Sequence, residues 1–398
     1  MANNAQGDAI TLRQWLPLLG LTVSAFIFNT SEFMPVGLLT DIGSTFALNE
    51  AQTGIMISVY AWAVMLLSLP LMVAASRVEF KRLMLGVVAV FAAGQFLSAI
   101  APTFLTLTLV RLVVACAHAI FWSIASIMGT RLVGAKHAPL ALSMIATGTS
   151  VAQIFGLPIG RAIGLAVGWR MTFGLVGVVS VVVVLYQAMA LPPMPAGEPF
   201  SLKGLPALMK NRLLMGIYVV TAVYASSYYL CYSYIEPFLA QVAGLSANTI
   251  TMSLMAFGVA GIIASVICTR FYDGHRKGFI TGCIAGVCAP MLALAAVSAW
   301  GLPAIVAAFV MWGICGTIYG IAFQAELIAC TDKDVSAVAM SMYSGIFNFG
   351  IGSGTALGGI VVSSAGVGLV GIAGGALCAV SLVLCLLLVI RPLAVRLS

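Results

Sequence analysis

The chain alternates long, uninterrupted apolar runs with short polar connections. Crossing the hydrocarbon core of a bilayer takes about 20 helical residues. Twelve runs reach that length, over residues 15–39, 51–75, 82–100, 103–130, 137–164, 170–191, 213–240, 247–270, 278–298, 302–328, 336–363 and 368–391. They are too long and too continuously apolar for the alternating strands of a barrel. Lipid offers no hydrogen bonds to backbone groups, so each run is predicted to be a helix. The expected fold class is an all-α membrane protein with twelve transmembrane helices.

Composition excludes the soluble reading. Of the 398 residues, 62% are hydrophobic and 7% charged, where a soluble domain carries about 25% charged residues. The formal net charge of +7 comes without a basic run interleaved with aromatics, so no nucleic-acid partner is expected. The first run is longer than the hydrophobic region of a signal peptide and carries Glu32, so it reads as a span. The nine cysteines include no C-x-x-C pair. They read as small buried hydrophobes, and no disulfide, metal or cofactor is expected.

The basic residues predict the orientation. All 18 Lys and Arg residues except Arg111, Arg161 and Arg170 fall in connections or at span ends on the side of the N-terminus. Positive loops face the cytoplasm. Both termini are therefore expected inside a bacterial cytoplasmic membrane.

Residues 192–212 break the apolar pattern, and Pro192, Pro193, Pro195, Pro199 and Pro206 forbid one long helix there. This is the expected cytoplasmic linker between a first bundle over 1–191 and a second over 213–398. The halves are weakly alike. Glu32 precedes Pro35 in span 1, and Glu236 precedes Pro237 in span 7. Ala141–Met144 with Thr147-Gly148 in span 5 parallels Ala339–Met342 with Ser344-Gly345 in span 11.

Charges inside spans are costly, at about 2.5–3.5 kcal/mol each on insertion scales, and so are candidates for function. Glu32 and Arg111 should lie at matching depths in spans 1 and 4. His118, two turns beyond Arg111, shares its face, and Trp122 follows one turn on. Burial and a neighbouring guanidinium act on a carboxylate in opposite senses, and imidazole titrates near neutrality. Glu32, Arg111 and His118 therefore read as a proton-coupling cluster, or as a structural Glu–Arg pair holding spans 1 and 4 together. Glu236 is expected to cap a helix or face water, and Glu326 to be interfacial. Arg161 is placed to pair with an acid at the outer end of span 5. In span 7, Tyr224, Tyr228 and Tyr232 recur every four residues as one stripe, a flat aromatic wall that Glu236 extends.

Two six-span halves joined by a linker resemble the plan of the major facilitator superfamily. The motifs point the same way. Arg111, in TLVRLVVACAHAIFWS, resembles the intramembrane arginine of that superfamily's proton-driven drug and sugar exporters. In GTSVAQIFGLPIGRAIGLAVGWRMTF, the residues Gly148, Gly156, Pro158, Gly160 and Gly164 resemble the exporters' Gly-Pro antiporter motif. Gly168, Trp169, Arg170 and Phe173 resemble the GWRxxF start of span 6. Small residues let helices approach closely, and proline bends a span at a gate. The loop after span 2 (Ser76, Arg77, Glu79, Lys81, Arg82) keeps charge but lacks the Gly and Asp of the superfamily's signature. The loop after span 8 (Asp273, Arg276, Lys277) matches better. AFIFNTSEFMPVGLLTDI, HAIFWSI, YSYIEPF and SGIFNFGIGSG resemble the bacterial sugar efflux transporters.

The resemblance implies a central cavity lined by spans 1, 4, 10 and 11, beside which the tyrosine stripe of span 7 is read as a wall for the substrate. Phe28, Asn29, Trp122, Tyr228, Tyr232, Trp312 and Asn348 are then the expected substrate contacts, with Phe121, Tyr319, Gln324 and Tyr343 as further candidates. Gly156, Pro158, Gly160, Trp169 and Arg170 become gate elements. Neutral amides and aromatic faces suit a neutral sugar, and no surplus of intramembrane cations calls for an anionic cargo. The function implied is proton-coupled export of a small neutral sugar, with drugs or nucleosides as alternatives, by a monomer with the proton as coupling ion. No H-E-x-x-H, P-loop or G-x-S-x-G motif supports an enzyme. The G-x-G-x-x-G of Gly366, Gly368 and Gly371 lacks a preceding strand and reads as chance.

Overall fold

The computed structural model describes residues 11–196, 205–272 and 274–397. Pro199, Lys203 and Asp273, and with them the middle of the expected linker, lie outside the described residues. Among the described residues the chain is helical throughout, without strands. The helices are α1 (Leu12–Gly37), α2 (Leu39–Thr45), α3 (Glu50–Ala75), α4 (Phe80–Ala99), α5 (Phe104–Val133), α6 (Ala138–Val151), α7 (Leu157–Val167), α8 (Trp169–Ala190) and α9 (Leu205–Lys210). They continue as α10 (Arg212–Tyr232), α11 (Ile235–Gln241), α12 (Ala247–Phe271), α13 (Arg276–Ala299), α14 (Leu302–Ala329), α15 (Lys333–Ala365), α16 (Val370–Cys385) and α17 (Arg391–Leu397).

Grouped into continuous stretches, the described residues contain twelve helices long and apolar enough to cross a membrane. They coincide with the twelve apolar runs to within a few residues at each end. The starts of several are set by local chemistry. The side chains of Thr103, Asn211 and Ser246 accept from backbone N–H groups three residues on and so cap α5, α10 and α12. On α8, Val178, Val182, Leu185 and Met189 recur at helical spacing and are all exposed. An apolar stripe turned outward is the inverse of a soluble helix and fits contact with lipid.

Among the described residues four spans are not single α-helices, namely 1, 5, 7 and 12, the last carrying a π-helical turn over Leu386–Ile390, and this is where the sequence expectation needs correction. Span 1 ends at Gly37 and restarts after Leu38 as α2. Span 7 stops at Tyr232 and restarts after Tyr234 as α11. The two junction residues share one backbone conformation: φ −119° and ψ 15° at Leu38, φ −113° and ψ 16° at Tyr234. Matching the breaks pairs Glu236 with Thr40 and not with Glu32, so the Glu-Pro parallel read from sequence is out of register. In span 5 a π-helical turn over Ala152–Gly156 joins α6 to α7. Pro158 is the cause: it has no N–H for the Ile154 carbonyl, and its ring would crowd it, so the preceding turn widens.

The contacts define two compact units. The first comprises Met1–Phe33, Leu67–Gly156 and Arg170–Phe200, and the second Met34–Leu66, Leu157–Trp169 and Ser201–Ser398. The first unit is centred on Phe28, whose ring stacks on Phe91 at 3.9 Å and on Phe121 at 4.4 Å between centroids. Buried Gln187 donates to Ser24 at 2.8 Å, tying α8 to α1. In the second unit α10 packs against α15 and α16, and α14 packs against α12 and α13. Its core stack runs Tyr224, Tyr319, Phe323, with centroids 3.5 and 4.1 Å apart.

Candidate transport site

The first unit holds the charged cluster. Glu32 on α1 and His118 on α5 face each other, Oε2 to Nε2, at 3.7 Å, with the His118 side chain buried and that of Glu32 9% exposed. Arg111 is 2% exposed. Its fork grips Ser31, with Nη1 donating to the hydroxyl at 2.7 Å and Nη2 to the backbone carbonyl at 2.8 Å. From this position the guanidinium acts electrostatically on the Glu32 carboxylate. Gln95 donates to the same Ser31 hydroxyl at 2.7 Å, and the guanidinium lies 5.6 Å from the Phe173 ring centroid. The three residues singled out from sequence are thus together. Ser31 and Gln95 were missed, although an amide within the apolar run of α4 was a legible signal. One guanidinium, one imidazole and one carboxylate are thus packed together inside an apolar bundle, a set of groups with the chemistry to bind and pass on a proton.

The other first-unit candidates surround this cluster. Phe28 lies 5.9 Å from the His118 ring, and Trp122 lies 6.2 Å from it and 5.2 Å from Phe121. Phe28 is wholly buried, while Trp122 is half-buried. Asn29 donates to the Ala25 carbonyl at 2.9 Å and reaches Thr149 Oγ1 at 3.5 Å.

The second unit holds the aromatic wall. Tyr228 lies 6.0 Å from Tyr224, 5.4 Å from Tyr232 and 5.5 Å from Trp312. Phe257 closes the group, 5.4 Å from Tyr232 and 5.9 Å from Trp312. The stripe divides by depth: Tyr224 is spent on the core stack with Tyr319, whereas Tyr228 is half-buried. Trp312 is fully buried, and its indole N–H has no hydrogen-bond partner. Asn348 donates to the Ser344 carbonyl at 3.0 Å and leaves its Oδ1 unbonded. Phe257 was not anticipated, because one phenylalanine in an apolar span carries no distinguishing pattern.

The span 5 motif is explained by close packing. A Cβ on Gly156 would lie 2.6 Å from the Thr30 hydroxyl, so α1 and the π-helical turn approach as only glycine allows. Gly168 has φ +91°, the left-handed conformation that reverses the chain from α7 into α8. Trp169 donates from Nε1 to Thr45 at 2.9 Å. Arg170 donates to the carbonyls of Ala99 at 3.1 Å and Ala101 at 2.7 Å, stapling the turn between α4 and α5. Pro158 and Gly160 are buried in α7.

One acid departs from its expected setting. Glu236 neither caps a helix end in water nor extends the tyrosine stripe. It is 3% exposed and pairs with Arg161, Oε1 to Nη1, at 3.0 Å. The break at Ser233–Tyr234 turns it away from the stripe. Glu326, three residues before the end of α14, is buried against its neighbours. Arg276 grips it with two donors at 2.7 and 2.5 Å, and the Tyr272 hydroxyl donates to it at 2.6 Å. Burial, with the adjacent carboxylate, holds the Tyr272 hydroxyl well above the usual tyrosine range, so it remains a donor. On the other side of the sequence, Glu79 pairs with Arg82 at 3.0 Å at the surface.

This architecture matches known proteins. The family model of the Major Facilitator Superfamily matches residues 21–325 and 217–398. The chain belongs to that superfamily and is a multi-pass membrane transporter. Similar solved structures include a bacterial homologue of the human lysosomal transporter Spinster in an inward-facing, unoccupied conformation, with 18% identity, TM-score 0.71, and coverage of 95% of this chain and 96% of that one. A mutant of the nucleoside transporter NupG has 16% identity, TM-score 0.76, and coverage of 94% and 98%. A POT family transporter in complex with 5-aminolevulinic acid has 11% identity, TM-score 0.73, and coverage of 93% and 95%. At these identities the likeness is one of fold.

Proposed function

We propose that the chain is a proton-coupled exporter of small neutral solutes, with sugars such as arabinose or thiogalactosides first among them. The observation that carries this reading is the buried meeting of Glu32 and His118 at 3.7 Å, beside Arg111, in helices otherwise made for lipid. The proton is the coupling ion, and it alternates with the solute as the protein opens to one side of the membrane and then the other. One proton moving down 100 mV releases about 2.3 kcal/mol, equivalent to about fifty-fold accumulation of a neutral solute.

In the first unit we assign Phe28, Asn29 and Trp122 to the solute, and in the second Tyr228, Tyr232, Trp312 and Asn348. Aromatic faces take the C–H side of a sugar ring, and the amides and the indole N–H take its hydroxyls. The Gly-Pro span motif favours export over uptake, and the branch resembled is that of the bacterial sugar efflux transporters. The setting assigned is a bacterial inner membrane, with both termini in the cytoplasm and two six-span bundles flanking the 192–212 linker; one copy suffices. The wall of Tyr228, Tyr232, Phe257 and Trp312 also suits a nucleobase or drug ring, which is the second reading. Efflux from proteoliposomes over a panel of arabinose, a thiogalactoside, a nucleoside and a cationic drug separates the two. Gradient-dependent export of the sugars alone supports the first, and export of the nucleoside or drug alone replaces it.

A further inference from the structure

Glu236 is the second residue of α11, two residues past the break in span 7. Three chain segments converge on its carboxylate. Arg161 of α7 pairs with Oε1 at 3.0 Å, and Thr40 of α2 donates to Oε2 at 2.7 Å. The same Arg161 Nη1 donates to the carbonyl of Gly37, the last residue of α1, at 2.5 Å. Both charged side chains are buried, 3% and 4% exposed. One carboxylate therefore clasps the α1–α2 junction, α7 and α11, all within the second unit.

The surrounding electrostatics isolate the clasp. Asp41, half-buried on α2, is the other acid acting on Glu236. Beyond it Glu50 accepts from Gln241 at 2.6 Å. The Val367–Leu369 turn, which also packs against α11, carries no charge. The basic residue of α12, Arg270, stands at that helix's opposite end. An ion pair removed from water resists separation, because parting it leaves two uncompensated charges in a poor dielectric. A proton on Glu236 removes that resistance: the carboxylic acid is neutral, the Thr40 hydroxyl turns from donor to acceptor, and Arg161 keeps the Gly37 carbonyl.

We propose that Glu236 is a second proton-binding site of this chain, and that protonation there releases the clasp joining the α1–α2 junction, α7 and α11. The proposal rests on the alternating-access reading, since it assigns the proton to the opening step at that end. It is independent of the Glu32 cluster and of which solute is carried. It also explains why a costly ion pair persists there: it shuts that end firmly yet remains sensitive to the acidity of the adjoining water.

Leu38 is fully buried and packs against Gly164 of α7, so a cysteine there reports opening of the clasp. Ser44, exposed on α2, provides the reference. The experiment uses the purified full-length chain in nanodiscs of phosphatidylcholine and phosphatidylglycerol. Both faces then share one pH, and maleimide labelling of Leu38→Cys is divided by that of Ser44→Cys to cancel thiol ionisation. Labelling of the unsubstituted chain is subtracted. The ratio is expected to rise at least about fivefold from mildly alkaline to mildly acidic buffer. Glu236→Gln should show the high ratio at both, while Glu236→Asp and Glu32→Gln keep the dependence. A ratio indifferent to pH overturns the proposal without any substitution at 236. So does a dependence that survives Glu236→Gln, or one that Glu32→Gln abolishes. Failure of proton-linked transport itself would appear in flux assays and leave this ratio unchanged.

Discussion

Arg111 binds Ser31 twice, once through the hydroxyl and once through the backbone carbonyl, and by doing so sets the geometry in which Glu32 meets His118. The arginine is thus a clamp on α1 before it is a counter-charge. A guanidinium satisfies both acceptors with two parallel donors and still acts on the neighbouring carboxylate. A lysine ammonium is a point charge and cannot reproduce the fork.

Arg111→Lys should therefore keep the charge and lose the clamp. Removing one of two buried donors leaves an acceptor unmatched, at about 1–3 kcal/mol. The expected result is a lower thermal midpoint in detergent and transport reduced about tenfold or more. Full activity with unchanged stability in Arg111→Lys would reduce the residue to a charge.

The aromatic wall separates ring from hydroxyl and indole N–H. Tyr228→Phe removes only the hydroxyl and should change the apparent solute affinity by less than about tenfold. Tyr228→Ala removes the face and should weaken it by about tenfold or more. Trp312→Phe leaves an aromatic ring but deletes the unpartnered N–H, so its loss should shrink when the solute lacks a hydroxyl. Solute counterflow with deoxy analogues measures all three. Equal losses for parent and deoxy solutes would remove Trp312 from hydrogen bonding to the cargo.

The π-helical turn predicts a graded response in span 5. Gly156→Ala places a methyl group against Thr30 and should destabilise by about 1–3 kcal/mol through overpacking. Pro158→Ala restores the missing N–H and should let the turn tighten toward an α-helix, preserving fold but slowing transport. Unfolding midpoints and initial transport rates report the two effects separately. A Gly156→Ala protein of full stability would contradict the close approach.

The pair of Arg276 and Glu326 makes a prediction about stability. Glu326→Gln removes the charge that two guanidinium donors and the Tyr272 hydroxyl share. Glu326 is buried and Arg276 about a quarter exposed, so unpairing them should cost less than the about 3–5 kcal/mol of a fully buried pair, a loss that Arg276→Gln in the same chain should partly recover. Non-additive midpoints in that double-mutant cycle are the expected outcome, and strictly additive ones would deny the pairing.

The apolar runs made the twelve spans legible because a bilayer demands length and hydrophobicity of every helix that crosses it, whatever its neighbours. Buried charge was legible for a related reason: Glu32, Arg111 and His118 are too costly to sit in lipid-facing helices without a use, and helical spacing placed the latter two on one face. Partnerships were harder. Arg161 is expected to find an acid at the far end of span 5, and Glu236 to face water, although Pro237, which has no N–H for the Ser233 carbonyl, already marks the break at Ser233–Tyr234. The partner of Glu326, Arg276, lies fifty residues away, beyond the reach of any local pattern. Phe257 joined its group through packing between helices, which a one-dimensional reading does not hold, whereas Gln95 was legible as a lone amide in an apolar run though its partner Ser31 was not.

The most direct test of the central claim measures proton and solute together. Proteoliposomes holding the full-length chain and an internal pH-sensitive dye are loaded with arabinose or a thiogalactoside, and solute exit is followed with the dye signal. The account predicts that protons cross in the opposite direction to the solute, and that Glu32→Gln abolishes this counter-movement and gradient-driven transport while still exchanging solute for solute. Transport by Glu32→Gln that remains driven by the proton gradient would contradict it.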